Sequence, residues 1–306
     1  MNQSKNGWIF GLIGMIIFSG SLPATRVAVS DFDPLFLTVA RAGLAGLLAV
    51  VTLAVLRQKR PERTDIAPLF VVALGVVIGF PLLTALALEH NTAARSTVFI
   101  ALLPLATAIF GVLRAGERPH PAFWAFSLAG SAFVAGFALT QSSSGSLTGD
   151  AFMVAAIIVC GLGYAEGGKL SRKLGGWQVI SWALVLSLPI MLAMTLITFP
   201  HTLVGIGTPS WIALGYVSMF SMFIGFAFWY RGLAQGGVAA VSQLQLLQPF
   251  FGLVLAALLL GEEVSPTMAA VSVAVVICVA GAKKFSQNTP NTKKAGVPQE
   301  GHQPRS

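Results

Sequence analysis

LEHNTAARSTVFIALLPLATAIFGVLRAGER at residues 88–118 and LAQGGVAAVSQLQLLQPFFGLVLAALLLGEE at residues 233–263 decide the fold of this chain. A shift of 145 residues superimposes Leu88 on Leu233, Ala94 on Ala239, Leu102 on Leu247, Pro104 on Pro249, Leu113 on Leu258, Gly116 on Gly261 and Glu117 on Glu262. Leu and Ala matches come cheaply in an apolar chain. A proline inside an apolar run, followed at the same distance by a Gly-Glu pair, does not, so the chain reads as two copies of one unit.

The composition fixes the surroundings of that unit. Of 306 residues 55% are hydrophobic and 10% charged, and mean hydropathy is +0.80. A soluble domain carries roughly 25% charged residues, so this is an integral membrane protein with the lipid bilayer as its solvent. The net charge of +8 does not make a nucleic-acid binder, because the Lys and Arg residues punctuate apolar runs instead of forming a solvated basic face. Cys160 and Cys278 both fall within apolar runs, which argues against a disulfide framework.

Crossing the hydrocarbon takes roughly 20 apolar residues, and ten such runs are present: Trp8 to Val29, Leu35 to Leu56, Ala67 to Leu88, Thr92 to Leu113, Ala122 to Leu139, Ala151 to Leu170, Val179 to Phe199, Trp211 to Tyr230, Val238 to Leu260 and Thr267 to Ala282. The expected fold is all-α, ten transmembrane helices in two five-helix repeats at 8–139 and 151–283. An extracytoplasmic linker at 140–150 joins them, and a disordered cytoplasmic tail follows at 284–306. A signal peptide is the alternative for the first run, with Lys5 before it and Ser19 to Ser21 after its apolar stretch. The apolar character continues past Pro23 to Val29, however, and the repeat needs this segment as a helix.

Placing the N-terminus inside puts 16 of the 19 Lys and Arg residues on the cytoplasmic side, leaving Arg26, Arg41 and Arg95 near the outer face. Both termini are then cytoplasmic, with the cell (inner) membrane as the location. Because the shift carries five runs onto five, the copies insert with opposite orientation, the architecture of secondary transporters that rock around a site near the bilayer midplane.

The stretch from Ala87-Leu88 through Pro104 to Gly116-Glu117-Arg118, its copy from Gly232-Leu233 through Pro249 to Gly261-Glu262-Glu263, and Asp33-Pro34 followed by Arg41 resemble the paired EamA-type domains of the drug/metabolite transporter superfamily. The resemblance covers roughly residues 8 to 283. It implies two inverted five-helix repeats around a central cavity, no cofactor, and export or exchange of amino acids, other small metabolites or drugs. Arg41 departs from the copy-to-copy pattern, since its shifted equivalent is Leu186, which confines any role for it to one half.

Polar groups within the runs are where small-molecule recognition belongs, because an unsatisfied polar atom in hydrocarbon is costly. Ser242, Gln245 and Pro249 share one helical face, with Gln248 close by and Gln243 turned away. Pro249 frees the carbonyl of Gln245. Gln245, Ser242, Gln248, Thr97 and Arg41 are the candidate substrate contacts, and Pro104 and Pro249 the candidate kinks. The competing reading of the amides and hydroxyls is interhelical hydrogen bonding. Arg41 lies roughly 9 Å into the second run; it either snorkels outward, holds a substrate carboxylate, or pairs with Asp33 or Glu89 across a gate. Glu166 shares a face with Lys169 and reads first as its ion-pair partner, and as a proton carrier if it faces a cavity. Trp8, Trp124, Trp177 and Trp211 sit near run ends, as an interfacial belt does, and Gly75 with Gly79 reads as a close helix contact.

An enzyme is not expected, because the chain has no HExxH or GxSxG and its four histidines show no metal-ligand spacing. A drug or nucleoside-like ligand and a non-transporting membrane scaffold or receptor are the alternatives to an amino-acid exporter, and a homodimer stays open. The orientation has a direct check. Reporter fusions at Ser306 and in the loop at Ser144 should give opposite compartment signals, and identical signals would overturn the ten-span topology.

Overall fold

The computed structural model describes residues 2–91, 96, 99–140, 146–200, 202–251 and 266–286, and all regular structure among them is helical. Seven helical stretches there are long and apolar enough to cross a membrane: Lys5–Thr25, Pro34–Val55, Arg63–Thr84, Pro121–Thr140, Leu147–Leu174, Gly176–Ile197 and Thr208–Gly236. These correspond to the first, second, third, fifth, sixth, seventh and eighth runs. The fourth carries helix over Leu103–Ala115, the ninth over Val238–Ser242 and then a 3-10 stretch Gln243–Leu247, and the tenth over Pro266–Phe285. Thr97, Gly261, Glu262, the centre of the linker and the tail beyond residue 286 lie outside the described residues.

Helix ends follow local chemistry. Asp33 caps the second span, its Oδ1 accepting from the N–H groups of Leu35 (2.8 Å) and Phe36 (3.1 Å), with Pro34 in the first turn where no donor is needed. Asp33, one of the two acids proposed as a gate partner for Arg41, is therefore engaged in capping its own helix. Glu62 and Asp65 form a capping box at the start of the third span. A single residue, Gly175 at φ +98°, separates the sixth span from the seventh, a turn that an L side chain would strain.

The internal repeat extends to backbone irregularity. The third span contains a π-helical segment, Ala73–Gly79, and the eighth contains another, Val217–Gly225. Shifting 73–79 by 145 residues gives 218–224, inside the second segment. In both, a glycine faces the carbonyl five residues earlier: a Cβ at Gly79 would strike Leu74 O, and one at Gly225 would crowd Phe220 O. The widened turn leaves room only for a hydrogen there.

Packing obeys the same exchange of halves. The first span packs on the eighth and the sixth on the third, while the second pairs with the seventh and the fifth with the tenth. The core joining them is one cluster running from Trp8 and Met15 through Ala45, Val76, Tyr164 and Ile180 to Trp229, Leu246 and Val279. Small residues let backbones approach where spans cross. A Cβ on Gly232 would meet the backbone of Gly11, one on Gly7 the backbone of Gly236, and one on Gly75 the carbonyl of Val159. Trp8 is buried under Lys283, whose ammonium sits 4.4 Å from the ring centroid, and is not a free belt residue.

This packing makes opposite forecasts for two glycines. Gly232→Ala forces the first and eighth spans apart and should destabilise by about 1–3 kcal/mol, read as a lower melting temperature in detergent. Gly136→Ala adds a methyl where nothing lies within 4 Å and should be neutral or slightly stabilising. Equal effects would contradict the close crossing.

Candidate substrate site and the ties around it

The ninth span sets the site. Before Pro249 its backbone winds as a 3-10 helix, which turns about 120° per residue instead of 100°. Every residue from 238 to 246 is buried, so Gln243, although turned from the Ser242–Gln245 face, also meets protein. The residue is fully buried beside Ser242, with its Nε2 at 3.5 Å from Pro104 O and 3.4 Å from Ala239 O. Ser242 is also fully buried, its hydroxyl 3.2 Å from Pro104 O and 2.9 Å from Ala239 O. Both residues thus tie the ninth span to the proline of the fourth. The fourth span is itself interrupted at Ala101–Leu102, immediately before Leu103–Ala115 begins.

Gln245 is buried too, and its Oε1, like the Oε1 of Gln243, has no hydrogen-bond partner among the described residues. The Tyr164 hydroxyl lies close to Gln245 and to Cys160. Tyr164 meets Trp229 edge-on at 5.7 Å between centroids, and the indole N–H of fully buried Trp229 is likewise unpartnered. Phe18 packs on Trp229 at 6.0 Å and on Phe226 at 4.9 Å. The amide of Gln245 and the indole of Trp229 thus both flank Tyr164, among aromatic side chains of the first, sixth and eighth spans. By helical rise this lies about 10–15 Å in from the end where the eighth span passes into the ninth, near the middle of a bilayer core. Leaving a buried polar atom unpaired costs about 1–3 kcal/mol, so each of these atoms is a candidate to meet a bound guest.

The remaining predicted contacts are spread more widely. Gln248 and Pro249 are partly buried just beyond the 3-10 stretch. Ser96 is buried with its hydroxyl unpartnered, while neighbouring Thr97 lies outside the described residues. The Nε of Arg41 is buried and unpartnered, and among the described residues no acid forms an ion pair with this side chain. Its span packs on the seventh and on the π-helical part of the eighth.

Charged ties join the two halves at the face where the third span starts and the sixth ends. Glu166, 2% exposed, is bonded to Arg114 of the fourth span and not to Lys169. Helical spacing favoured the local lysine, but the fourth span packs against the sixth and delivers a nearer guanidinium. Removing one partner of a buried pair leaves an uncompensated charge, at a cost of about 3–5 kcal/mol when burial is complete. Half-exposed Arg114 keeps its share of hydration and lowers that figure. Glu117 accepts from the N–H groups of Val238 (2.7 Å) and Ala239 (2.8 Å) at the start of the ninth span, and from Arg172 at 2.9 Å. Lys173 donates to Glu62 at 2.8 Å and Asp65 at 2.9 Å. The sequence marks Glu117 only as half of a repeated Gly-Glu pair. The repetition is a signal of importance, but the distant helix start it binds could not be read from it.

At the opposite face the ties between described residues join carboxylates and an amide to neutral donors, with no Lys or Arg among them. Asn91 Nδ2 donates to Asp150 at 2.9 Å and Asn91 Oδ1 accepts from Ser146 N–H at 2.8 Å, joining the third span to the sixth. Asp31 accepts from the Ser210 hydroxyl at 2.7 Å and from Gly207 N–H at 2.9 Å. Those bonds, Ser210's first, hold its carboxyl below the usual carboxylate range. Their contribution is therefore complete above the usual carboxylate pKa and is lost as pH falls through the lowered value.

With that arrangement described, comparison with known proteins places it. The chain matches the EamA-like transporter family twice, over residues 5–139 and 147–282. It is 65% identical over 287 residues to an uncharacterized transporter, YdeK, of Bacillus subtilis (strain 168), covering 94% of this chain and all of that one. It is 25% identical over 297 residues to a probable terminal-alkyne amino-acid exporter of Streptantibioticus cattleyicolor, covering 94% and 96% of the two chains. A solved crystal structure shares the fold with a TM-score of 0.76 at 19% identity, over 92% of this chain and 98% of that one. The chain belongs to the EamA-like transporter family and is a multi-pass membrane transporter.

Proposed function

We propose that this protein is a secondary transporter of the cell membrane, with ten spans in two inverted halves and both termini cytoplasmic, that exports a small polar metabolite, an amino acid in the first instance, by alternating access. The observation that supports the substrate class is a set of buried unpartnered groups, the Oε1 atoms of Gln243 and Gln245 and the indole N–H of Trp229. Gln245 Oε1 can accept from a substrate ammonium and Trp229 Nε1 can donate to a carboxylate. The rings of Phe18, Tyr164 and Phe226 offer an apolar wall to the side chain. A relative named as a probable amino-acid exporter supports the same reading.

The domain limits that go with this reading are residues 8–139 and 151–283 for the halves, 140–150 for an outer linker and 284–306 for a cytoplasmic tail. Alternating access requires the two sets of ties to open in turn. Opening the inner set releases Glu166 from Arg114, which makes Glu166 the buried carboxylate available to carry a coupling proton. Pro104 and Pro249 are the hinge candidates, since the backbone departs from α geometry directly before each.

Counterflow of radiolabelled amino acids in liposomes at several imposed pH gradients tests the proposal. Gln245→Leu and Trp229→Phe each remove an orphan while keeping bulk. With one or two hydrogen bonds lost at about 0.5–1.5 kcal/mol each, apparent affinity should weaken roughly 2- to 100-fold with the fold intact. Absence of counterflow for every amino acid would move the assignment to a drug or nucleoside-like ligand.

A further inference from the structure

The alternating-access reading leaves one cavity unexplained. It has a volume of about 680 Å³ and opens between the end of the sixth span, the start of the seventh and the end of the eighth. Its wall includes Arg172, Gly176, Trp177, Gln178, Phe228 and Arg231, and every other lining residue also falls within 171–178 or 227–235. Among the described residues the first half contributes nothing to its wall, which places it beside the interface between the halves and not within the path they would enclose.

Its electrostatic character is one-sided. Two guanidiniums and, among the described residues, no carboxylate stand in the wall. Arg172 is engaged by Glu117 through a single nitrogen at 2.9 Å, which leaves other N–H donors of its fork unused. Arg231 lies over the Phe10 ring at 4.1 Å, a stacking contact made by the guanidinium face that keeps its N–H edge available. The seventh span adds to this field because it starts in the wall with no side chain capping it. Gly176 allows that placement, since a Cβ there would strike the backbone of Ala227 and Arg231.

Position selects among anions. Trp177 sits at a span end, where an indole marks the membrane boundary. Further along, the seventh span exposes Leu186, Ile190 and Ile197, an apolar track on which acyl chains can lie. We propose that this cavity binds the phosphate of an anionic phospholipid headgroup, held by Arg172 and Arg231 at the start of the seventh span. The recognition is charge-based and independent of the substrate assignment.

The test uses the purified full-length protein, delipidated and re-exposed to phosphatidylglycerol or phosphatidylcholine in micelles, with retained lipid counted by native mass spectrometry. Inorganic phosphate is titrated as a competitor in parallel. Phosphatidylglycerol should be retained preferentially, with affinity falling about fivefold in Arg231→Gln and about 30-fold in Arg172→Gln/Arg231→Gln. Lys283→Gln, which removes a charge stacked on Trp8 elsewhere, should leave retention unchanged. The single Arg231 variant leaves the Glu117 tie untouched and keeps the result readable if the double variant misfolds. Equal retention of the two lipids, equal loss in Lys283→Gln, or unaltered retention in a monodisperse Arg231→Gln protein would overturn the proposal. Binding of inorganic phosphate without lipid selectivity would overturn the lipid assignment.

Discussion

The arrangement of the two halves depends on one carboxylate. Glu117 follows the fourth span directly after Gly116, whose φ of +68° ends that helix in a left-handed cap. It then accepts from two N–H groups at the start of the ninth span and from Arg172 at the end of the sixth. A negative charge at a helix N-terminus meets both open donors and the positive end of the dipole, and hydrogen bonds to an ionised acceptor are roughly twice as strong as neutral ones. One side chain thus fixes where the Ser242–Gln245 segment enters the bundle, and with it the depth of the orphaned amide.

Duplicated sequence produces duplicated departures from regular helix. The π-helical segments of the third and eighth spans coincide under the 145-residue shift, and the interrupted turn before Pro104 answers the 3-10 stretch before Pro249. Such turns leave carbonyls without their usual partner, which is tolerable in a bilayer only where protein or a polar path receives them. Ser242 and Gln243 do this for Pro104. The halves have diverged in polarity: Gln245 has Ile100 as its counterpart and Arg41 has Leu186, so the repeated sequence carries these polar groups in one copy only.

The helical character and the repeat were legible because they rest on composition and spacing, which are local properties. Candidate substrate residues were legible by type, since polar atoms in apolar runs stand out, but not by partner. Gln243 was set aside because one polar face was assumed, whereas the segment 238–246 is buried on every side. Glu166 was assigned to Lys169 because i, i+3 spacing is visible in sequence while the approach of Arg114 depends on packing between spans. The indole N–H of Trp229 could not be separated from ordinary aromatic packing until its neighbours were known.

The proposed alternating access requires the face closed by Glu117, Glu166 and Lys173 to separate during each cycle. Lys173 and Asp65, whose side chains meet at 2.9 Å, offer the most direct handle. In a protein with Cys160 and Cys278 replaced by alanine, Asp65→Cys and Lys173→Cys can be bridged by a short reducible thiol cross-linker and counterflow measured before and after reduction. Transport abolished by the bridge and restored by reductant is the predicted result. Undiminished transport in the fully bridged protein would contradict the mechanism.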